Sequence, residues 1–464
     1  MTGIPVKFEV ARRPSAGRTS EKKAETNGGK NQMKKLLALA LALVMCLALA
    51  ACGDSSAPAA NSGSGSAAPA ASGSAADAKG DKTAVNKDDV KIGCILVGDE
   101  NEGYSYAHIK GIDEAIEATG LSKDNVIIKY SVPENSACYD AAIDLVEQGC
   151  SLVISNSYSH QSYMQQAAQE CPDVTFVACT GDTANQAGLS NFKNAFTAIY
   201  QARYVSGVVA GMKIAELVND GKLTDANYQD GKVKIGYVGA YPYAEVVSGY
   251  TAFFLGVQSV YPDVTMEVQY TNSWFDITAE STAAESLMAD GCVIIGQHAD
   301  STGAPAAVQA AQDAGKTAFS VGYNIDMLSV APTAALTSAT NDWGAYYTYA
   351  FNCLLNGEEI ATDWCKGYED GAVGITELGE SCAEGTADKV AEVEAALKDG
   401  SLQVFDCSKF TINGEHPTSI LIDMDNDFEG DTEGVKDGVF QESTLRSAPG
   451  FTARIDGITE LNAN

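Results

Sequence analysis

The sequence predicts an α/β protein built from two doubly wound lobes that face each other across a ligand cleft. Short apolar runs rich in β-branched residues alternate with amphipathic helical stretches, a pattern typical of buried parallel strands joined by helices. The same alternation occurs twice along the chain, without a phosphate-binding loop. Most of the 464 residues follow Asp88, which is too much chain for one small core.

The predicted elements form two similar series. The first has strands at 90–97, 126–132, 152–155 and 174–179, with helices at 106–118, 137–148 and 160–170. The second has strands at 234–238, 265–270, 293–297 and 318–323, with helices at 244–260, 277–289 and 305–314. Parallel strands need such crossovers, so each series is expected to form one sheet with helices on both faces.

Aromatic and small polar side chains follow several of the predicted strands. Tyr104 comes after the first strand, Ser155 and Ser157 close the third, and Trp274 and Asp300 follow the sixth and seventh. In open α/β sheets the ligand binds at the carboxyl ends of the strands. Two aromatic rings on opposing lobes are suited to hold a planar heterocycle, with polar groups contacting its edge.

The start of the chain is typical of an export signal. Lys34 and Lys35 precede an apolar run over 36–49, and small residues lead into Cys52. The ending resembles a bacterial lipobox, in which the cysteine is acylated and becomes the first residue of the mature protein. A membrane-spanning anchor is the alternative, disfavoured because the run is shorter than the roughly 20 apolar residues that a spanning helix needs.

Three regions follow from this layout. Residues 1–51 are predicted to be a signal peptide, with a spurious extension before Met33. Residues 52–88 are predicted to be a lipid-anchored, disordered linker, because their Ala, Ser, Gly and Pro offer too little apolar surface to bury. Residues 89–464 are predicted to form the ligand-binding domain.

The formal net charge is −31. An acidic surface repels nucleic acid and anionic lipid headgroups, so no nucleic-acid partner is expected. Neutral or cationic small ligands are compatible with this charge.

No catalytic or metal-binding set is evident in the sequence. There is no Cys-x-x-Cys motif, and His108 and His298 each lack a neighbouring nucleophile in sequence. No metal, no cofactor and no enzymatic activity are therefore predicted. Disulfide pairing is left open for four cysteines, namely Cys353, Cys365, Cys382 and Cys407.

The acidic segment 423–433 invites comparison with a calcium loop. A helix–loop–helix calcium loop that began at Asp423 would need Gly at its sixth position and Glu at its twelfth, where this chain has Phe428 and Gly434. We interpret the segment as a solvated acidic loop, and calcium binding there stays open.

Several motifs occur in one order along the chain: GYSYAH at 103–108, RYVSGVVAG at 203–211, YVGAYPYAE at 237–245, NSWFD at 272–276, QHAD at 297–300, GYNID at 322–326 and DWG at 342–344. Together they resemble the basic membrane protein (BMP) family of solute-binding lipoproteins over roughly 90–358. The resemblance implies the type I periplasmic binding protein fold with Rossmann-like lobes. It also implies delivery of a purine base or purine nucleoside to an ABC permease.

The resemblance also implies roles for particular residues. Tyr104 and Trp274 match the two stacking aromatics, and Asp300 and Asp326 match positions with polar groups near the ligand. Trp343, at the last crossing between lobes, is either a further ligand contact or a core anchor. The nucleoside-binding branch has a lysine near that crossing, which is absent here. A free base such as adenine is therefore favoured, and nucleoside binding stays open.

Lobe 1 is predicted to comprise about 89–200 and about 325–358, and lobe 2 about 201–324 with part of the C-terminal region. We expect a monomer, lipid-anchored at the extracytoplasmic face of the cell membrane. A ligand-sensing receptor is an alternative, because it needs the same closing cleft. An exported nucleoside-processing enzyme is a weaker alternative, because no catalytic set is present.

Overall fold

The computed structural model describes residues 86–427 and 429–463. The predicted signal peptide, Cys52 and nearly all of the predicted linker lie outside the described residues. The α-helices are α1 Gly103–Thr119, α2 Ala137–Glu147, α3 Gln161–Glu170, α4 Ala184–Ala187, α5 Ile199–Asn219, α6 Ala244–Val260, α7 Ile277–Ala289, α8 Gly303–Asp313, α9 Trp343–Asn356 and α10 Thr386–Lys398. The strands are β1 Ile92–Ile95, β2 Val126–Lys129, β3 Leu152–Ser155, β4 Thr175–Cys179, β5 Phe192–Thr197, β6 Tyr228–Gln229, β7 Lys232–Gly239, β8 Val264–Tyr270, β9 Ile294–Gln297, β10 Phe319–Tyr323, β11 Ala335–Asn341, β12 Asp363–Lys366, β13 Val373–Ile375, β14 Leu421–Ile422, β15 Thr432–Glu433, β16 Val435–Lys436, β17 Val439–Phe440 and β18 Ile458–Glu460.

Lobe 1 is built on a parallel sheet with the strand order β12-β5-β4-β3-β1-β2. All residues of β1 and β3 are buried, as expected for strands covered by helices on both faces. Neither β5 nor β12 is among the predicted strands. In β5 the buried polar residues Lys193 and Asn194 interrupt the apolar pattern, and Lys193 reaches Glu359 at 3.1 Å.

Lobe 2 is built on a second sheet, in the order β13-β11-β10-β9-β7-β8-β18, with β6 at the side of β7. Its central strands are parallel, and β13 pairs with β11 in the antiparallel sense. The predicted lobe boundary differs at β11, because the sequence analysis assigned 325–358 to lobe 1. The small side chains of β11 are almost all buried, and the strand pairs with β10 in the lobe 2 sheet.

The chain crosses between the lobes three times: from β5 to α5, from β11 to α9, and from β12 to β13. Two crossings lie against each other, since Thr197 at the end of β5 donates a hydrogen bond to Asn341 at the end of β11 at 2.5 Å. After the second crossing, α9 packs against α1 in lobe 1.

Each lobe has its own apolar core. In lobe 2 the helices α5 and α6 pack closely, and a Cβ atom on Gly207 would lie 2.1 Å from the carbonyl oxygen of Phe253. A Cβ on Gly256 would lie equally close to the carbonyl oxygen of Tyr204. Glycine therefore sets the distance between these two helices.

The segment after α10 covers lobe 2 and reaches lobe 1. Phe405 and Phe451 stack at 4.6 Å within its apolar cluster, and β18 extends the lobe 2 sheet beside β8. Arg446 of this segment lies 3.9 Å from Asp182 of lobe 1. The four cysteines whose pairing was left open are free thiols. Over the described residues, no helix is long and apolar enough to cross a bilayer.

Candidate ligand-binding site

A cavity of about 440 Å³ lies between the lobes, where the carboxyl ends of the two sheets meet. Its volume falls within the roughly 300–1,000 Å³ typical of small-molecule sites. The cavity is lined by Val97, Gly98, Asp99, Asn101, Glu102, Tyr104, Ser131, Glu134, Asn156, Ser157, Tyr158, Thr180, Tyr241, Glu245, Ser273, Trp274, Phe275, Asp300 and Tyr323. Aromatic rings and carboxyl groups dominate this set.

Tyr104 forms the lobe 1 wall near the start of α1. Its hydroxyl donates a hydrogen bond to the carbonyl oxygen of Asn156. Behind the ring lies His108 in an edge-on contact at 4.7 Å, and Trp343 stacks on His108 at 4.2 Å. The ring is thus held from behind by two further rings.

Trp274 forms part of the lobe 2 wall in the loop between β8 and α7. Its carbonyl oxygen accepts a hydrogen bond from the backbone N–H of Asp300 at 2.8 Å, and its ring lies 5.4 Å from that of Tyr241. The buried carboxylate of Glu280 accepts from the N–H of Ser301 at 3.2 Å, which ties α7 to the loop after β9. Two strand-end loops are therefore held together at the cavity.

The structure brings together four of the seven predicted ligand contacts. Tyr104, Ser157, Trp274 and Asp300 all line the cavity. They come from both lobes, as predicted for a cleft site.

The other three predicted contacts are absent from the cavity lining. Ser155 is buried in its sheet and donates to the carbonyl oxygen of Val177 at 3.5 Å. Asp326 is exposed and accepts from the N–H of Leu328 at 2.8 Å. Trp343 is only 1% exposed and lies behind Tyr104 in the core, the anchor role that the sequence analysis left open.

Sequence reasoning missed several lining residues. Glu102, Glu134, Glu245, Tyr241 and Tyr323 all line the cavity but were not singled out as contacts. Their positions follow or end strands, so the rule that ligands bind at strand ends could have identified them. The rule does not say which strand-end side chains turn inward.

The cavity carboxyls have raised pKa values. Burial raises the pKa of Glu245 to about 7, and the buried Arg203 opposes this effect. Burial also raises the pKa of Glu102, and it raises the pKa of Asp300 well above its usual range, with nearby Glu102 and Glu280 adding to the effect. These groups hold protons more strongly than carboxyls in water.

The neighbours of Glu245 lie on the lobe 2 side. Burial, followed by the charge of Arg203, lowers the pKa of His298 well below its usual value, so the ring is neutral. Its Nε2 lies 3.2 Å from Glu245. Arg203 stacks 3.7 Å over the ring of Tyr323 and donates to the carbonyl oxygen of Gln297 at 2.5 Å.

Two non-glycine residues of the lining have left-handed backbone. Ser131 has φ 52° and Thr180 has φ 61°, a conformation that is rare for a β-branched residue. Backbone bonds hold both, since the N–H of Ser131 donates to Gly98 and that of Thr180 donates to Ala195. Such positions concentrate at functional sites.

The acidic loop lies apart from this lining. Side-chain oxygens of Asp423, Asp425 and Asp427 fall within 4.8 Å of one another, and none of these residues lines the cavity. Exposed carboxylates group in this way without an ion, so the interpretation as a solvated acidic loop is kept.

Residues 90–404 match a protein family described as ABC transporter substrate-binding protein PnrA-like. The chain belongs to this family. Members of this ABC substrate-binding family are solute-binding proteins rather than enzymes, and they bind a small ligand and an ABC permease. The predicted resemblance and the predicted lack of enzymatic activity are confirmed.

The chain is similar to two named relatives. A purine-binding protein of Brucella abortus is 31% identical, covering 68% of this chain and 83% of the relative. The putative ABC transporter glucose-binding protein TsgA13 of Haloferax volcanii is 30% identical, covering 71% of this chain and 76% of the relative.

Solved structures of ABC solute-binding proteins share the fold. One from Conexibacter woesei has a TM-score of 0.53 at 19% identity, covering 68% of this chain and 98% of its own. Another from Aeropyrum pernix has a TM-score of 0.56 at 16% identity, covering 70% and 94%. The predicted fold of two α/β lobes around a cleft is confirmed.

Proposed function

We propose that this ABC substrate-binding protein binds a purine base, adenine or a close relative, and delivers it to its permease for uptake. The observation that carries the proposal is the pair of aromatic walls, Tyr104 on lobe 1 and Trp274 on lobe 2, in one cavity. A flat ring between two such walls is held by stacking, and side chains such as Ser157 and Asp300 contact its polar edge.

A second support is the relative from Brucella abortus, whose name gives a purine as its ligand. The relative from Haloferax volcanii is named for glucose, so a sugar is the control ligand that matters most. Purine nucleosides need a place for ribose, and the cavity lining contains no lysine to hold it. A free base is therefore preferred over its nucleoside in this proposal.

Calorimetry with adenine, adenosine, guanosine and glucose tests the ligand. We expect adenine to bind more tightly than adenosine, and glucose to give no signal. Tight glucose binding without any purine response would overturn the proposal. Mass spectrometry of the small molecules that co-purify with the protein identifies the bound ligand independently.

The membrane attachment is a separate part of the proposal. Cys52 lies outside the described residues, and we infer from its lipobox-like context that it carries the lipid anchor at the extracytoplasmic face of the cell membrane. The substitution Cys52→Ala should release the protein or leave an unprocessed precursor. Cys46→Ala, within the apolar run, is the matched control and should process normally. Normal processing and membrane retention of Cys52→Ala would contradict the anchor.

A further inference from the structure

Carboxyl groups from both lobes dominate the polar side of the cavity. Lobe 1 supplies Asp99, Glu102 and Glu134, and lobe 2 supplies Glu245 and Asp300. The set of lining residues, all within the described part of the chain, contains no Lys, Arg or His. The lining therefore offers a ligand several carboxyl acceptors and no cationic side chain.

The lobes approach each other closely beside two of these carboxyls. A Cβ atom on Gly103 of lobe 1 would lie 3.3 Å from the carbonyl oxygen of Asp300 in lobe 2. Glu102 precedes Gly103, and its Oε2 is buried without a hydrogen-bond partner. The Oδ1 atom of Asp300 accepts from Asn324 at 2.8 Å. Each lobe thus presents a carboxyl at the same end of the cavity.

Glu245 is a third acceptor, in the first turn of α6. Its side chain is 18% exposed, and its closest ionisable contact is the neutral ring of His298 at 3.2 Å. Arg203, the nearby cation, lies behind the wall, because it stacks on Tyr323 and is itself absent from the cavity lining. The charge of Arg203 therefore lowers the pKa of Glu245 and Asp300 from behind the cavity wall, without lining the cavity.

Buried acceptors without donors are costly, and several carboxyls in one closed cavity also repel one another. A ligand that offers N–H groups satisfies these acceptors from both sides when the lobes close. A ligand that offers carbonyl oxygens at the same edge leaves the acceptors unpaired and adds repulsion. The lining therefore discriminates between ligands of the same size and shape.

We infer that the cleft is selective for amino-substituted purines over oxo-substituted ones, with Glu102 and Glu245 as the specificity-determining residues that accept N–H donors from the ligand, one on each lobe. This inference rests on the proposed function and deepens it by naming the recognised edge. It assigns the two glutamates a role that stacking by Tyr104 and Trp274 does not provide.

The test is calorimetry on the wild-type protein with adenine, 6-methylpurine and hypoxanthine. The first two have nearly the same size and differ by one exocyclic amine, whereas hypoxanthine places an oxygen there. At about pH 8, above the pKa of about 7 of Glu245, a hydrogen bond to the ionised carboxylate is worth enough to predict at least roughly tenfold tighter binding of adenine than of either analogue. Equal binding of adenine and 6-methylpurine would overturn the inference without any variant.

The variants Glu102→Gln and Glu245→Gln keep side-chain size and remove the carboxylate. Each is expected to reduce the preference for adenine over 6-methylpurine to within about threefold. The matched control is Glu100→Gln, an exposed residue of the same loop as Glu102 that is absent from the cavity lining, and it should keep the wild-type preference. Retention of that preference by either test variant would overturn its assigned role and the inference.

The two proposals fail in different ways. If no purine binds to the wild-type protein, the proposed function is wrong. If purines bind but adenine has no advantage over its analogues, purine binding stands and only the selectivity is wrong. Unfolding curves for each variant show whether a loss of affinity arises from lost structure.

Discussion

At the scale of single residues, the position of the Tyr104 ring depends in part on a residue far away in sequence. His108 is on the same helix, but Trp343 comes from the second crossing between the lobes. Ring contacts of this kind add about 0.5–1.5 kcal/mol beyond area burial. A ligand that stacks on Tyr104 therefore meets a ring already fixed in place, which limits the entropy lost on binding.

Replacing either wall residue should weaken purine binding. Truncation of a well-buried aromatic contact costs about 2 kcal/mol or more, so Tyr104→Ala and Trp274→Ala should each raise the Kd for adenine on the order of 30-fold. Calorimetry is the measurement. Tyr106→Ala is the control, because Tyr106 is 46% exposed on the same helix and absent from the cavity lining. Affinities within about twofold of wild type for both wall variants would place the ligand elsewhere.

Trp343 should affect stability rather than ligand contact. Its side chain is buried against His108, and truncating a buried Trp costs about 3–5 kcal/mol. Urea unfolding of Trp343→Ala should show this loss in the free energy of unfolding. Wild-type stability combined with lost adenine binding would instead make Trp343 a ligand contact.

At the scale of elements, the crossing of α5 and α6 shapes lobe 2. The two helices meet where Gly207 and Gly256 leave no room for a Cβ atom. Because the obstacles are backbone carbonyl oxygens rather than flexible side chains, the helices have to move apart to admit one. Such a movement disturbs the core that supports the loops of the cavity.

Gly207→Ala should therefore destabilise the protein by about 1–3 kcal/mol, the usual cost of overpacking. The free energy of unfolding in urea measures this. Gly374→Ala is the matched control, because the nearest atom to its added Cβ would be the Thr340 hydroxyl at 3.8 Å. A Gly207 variant as stable as the control would show that the helix pair tolerates a wider spacing.

At the scale of the whole molecule, the C-terminal segment joins the lobes. Glu460 accepts hydrogen bonds from the hydroxyls of Tyr250 and Tyr270 in lobe 2, at 3.0 and 2.5 Å. Arg446 lies beside Asp182 of lobe 1. Most of this segment lies beyond residue 404, where the family match ends. The segment contacts both halves of the molecule.

Buried carboxyls should make global stability depend on pH. Burial raises the pKa of three of them from 4.5 to about 7: Glu245, Glu280 and Glu442. Between these values the native state binds more protons than the unfolded chain. These groups therefore add their full contribution to the free energy of unfolding below pH 4.5. The contribution falls as the pH rises and is lost above about pH 7.

Each group accounts for up to roughly 3 kcal/mol at 1.36 kcal/mol per pKa unit. Urea unfolding between pH 4.5 and pH 7 should show the free energy of unfolding falling as the pH rises. The substitution Glu442→Gln should make this dependence on pH less steep. Glu442 accepts from the N–H of Gly450 through Oε1 at 2.8 Å and from the N–H of Phe451 through Oε2 at 3.0 Å. A glutamine keeps only one of these two hydrogen bonds, so the variant should be less stable at every pH, and the test is the slope of stability against pH. A slope unchanged in this variant would mean that Glu442 is ionised in the folded protein throughout.

Local pattern predicted many elements well. The helices 244–260 and 277–289 were predicted with the bounds that the structure shows, the second helped by Asp276, which caps it. The strands β5 and β11 were missed, because buried polar or small side chains replaced the apolar pattern on which the prediction relied. Their polar groups are satisfied by partners distant in sequence, such as Asn341 for Thr197.

The sequence by itself determined the fold class, the family and the two aromatic walls, because strand and helix periods and motif order are local properties of the chain. Only the tertiary structure decided that Trp343 supports Tyr104 from behind, that Asp326 faces solvent, and that Glu245 lines the cavity. The reason is that these positions depend on where the chain crosses between the lobes. Crossings bring together side chains that no local pattern relates.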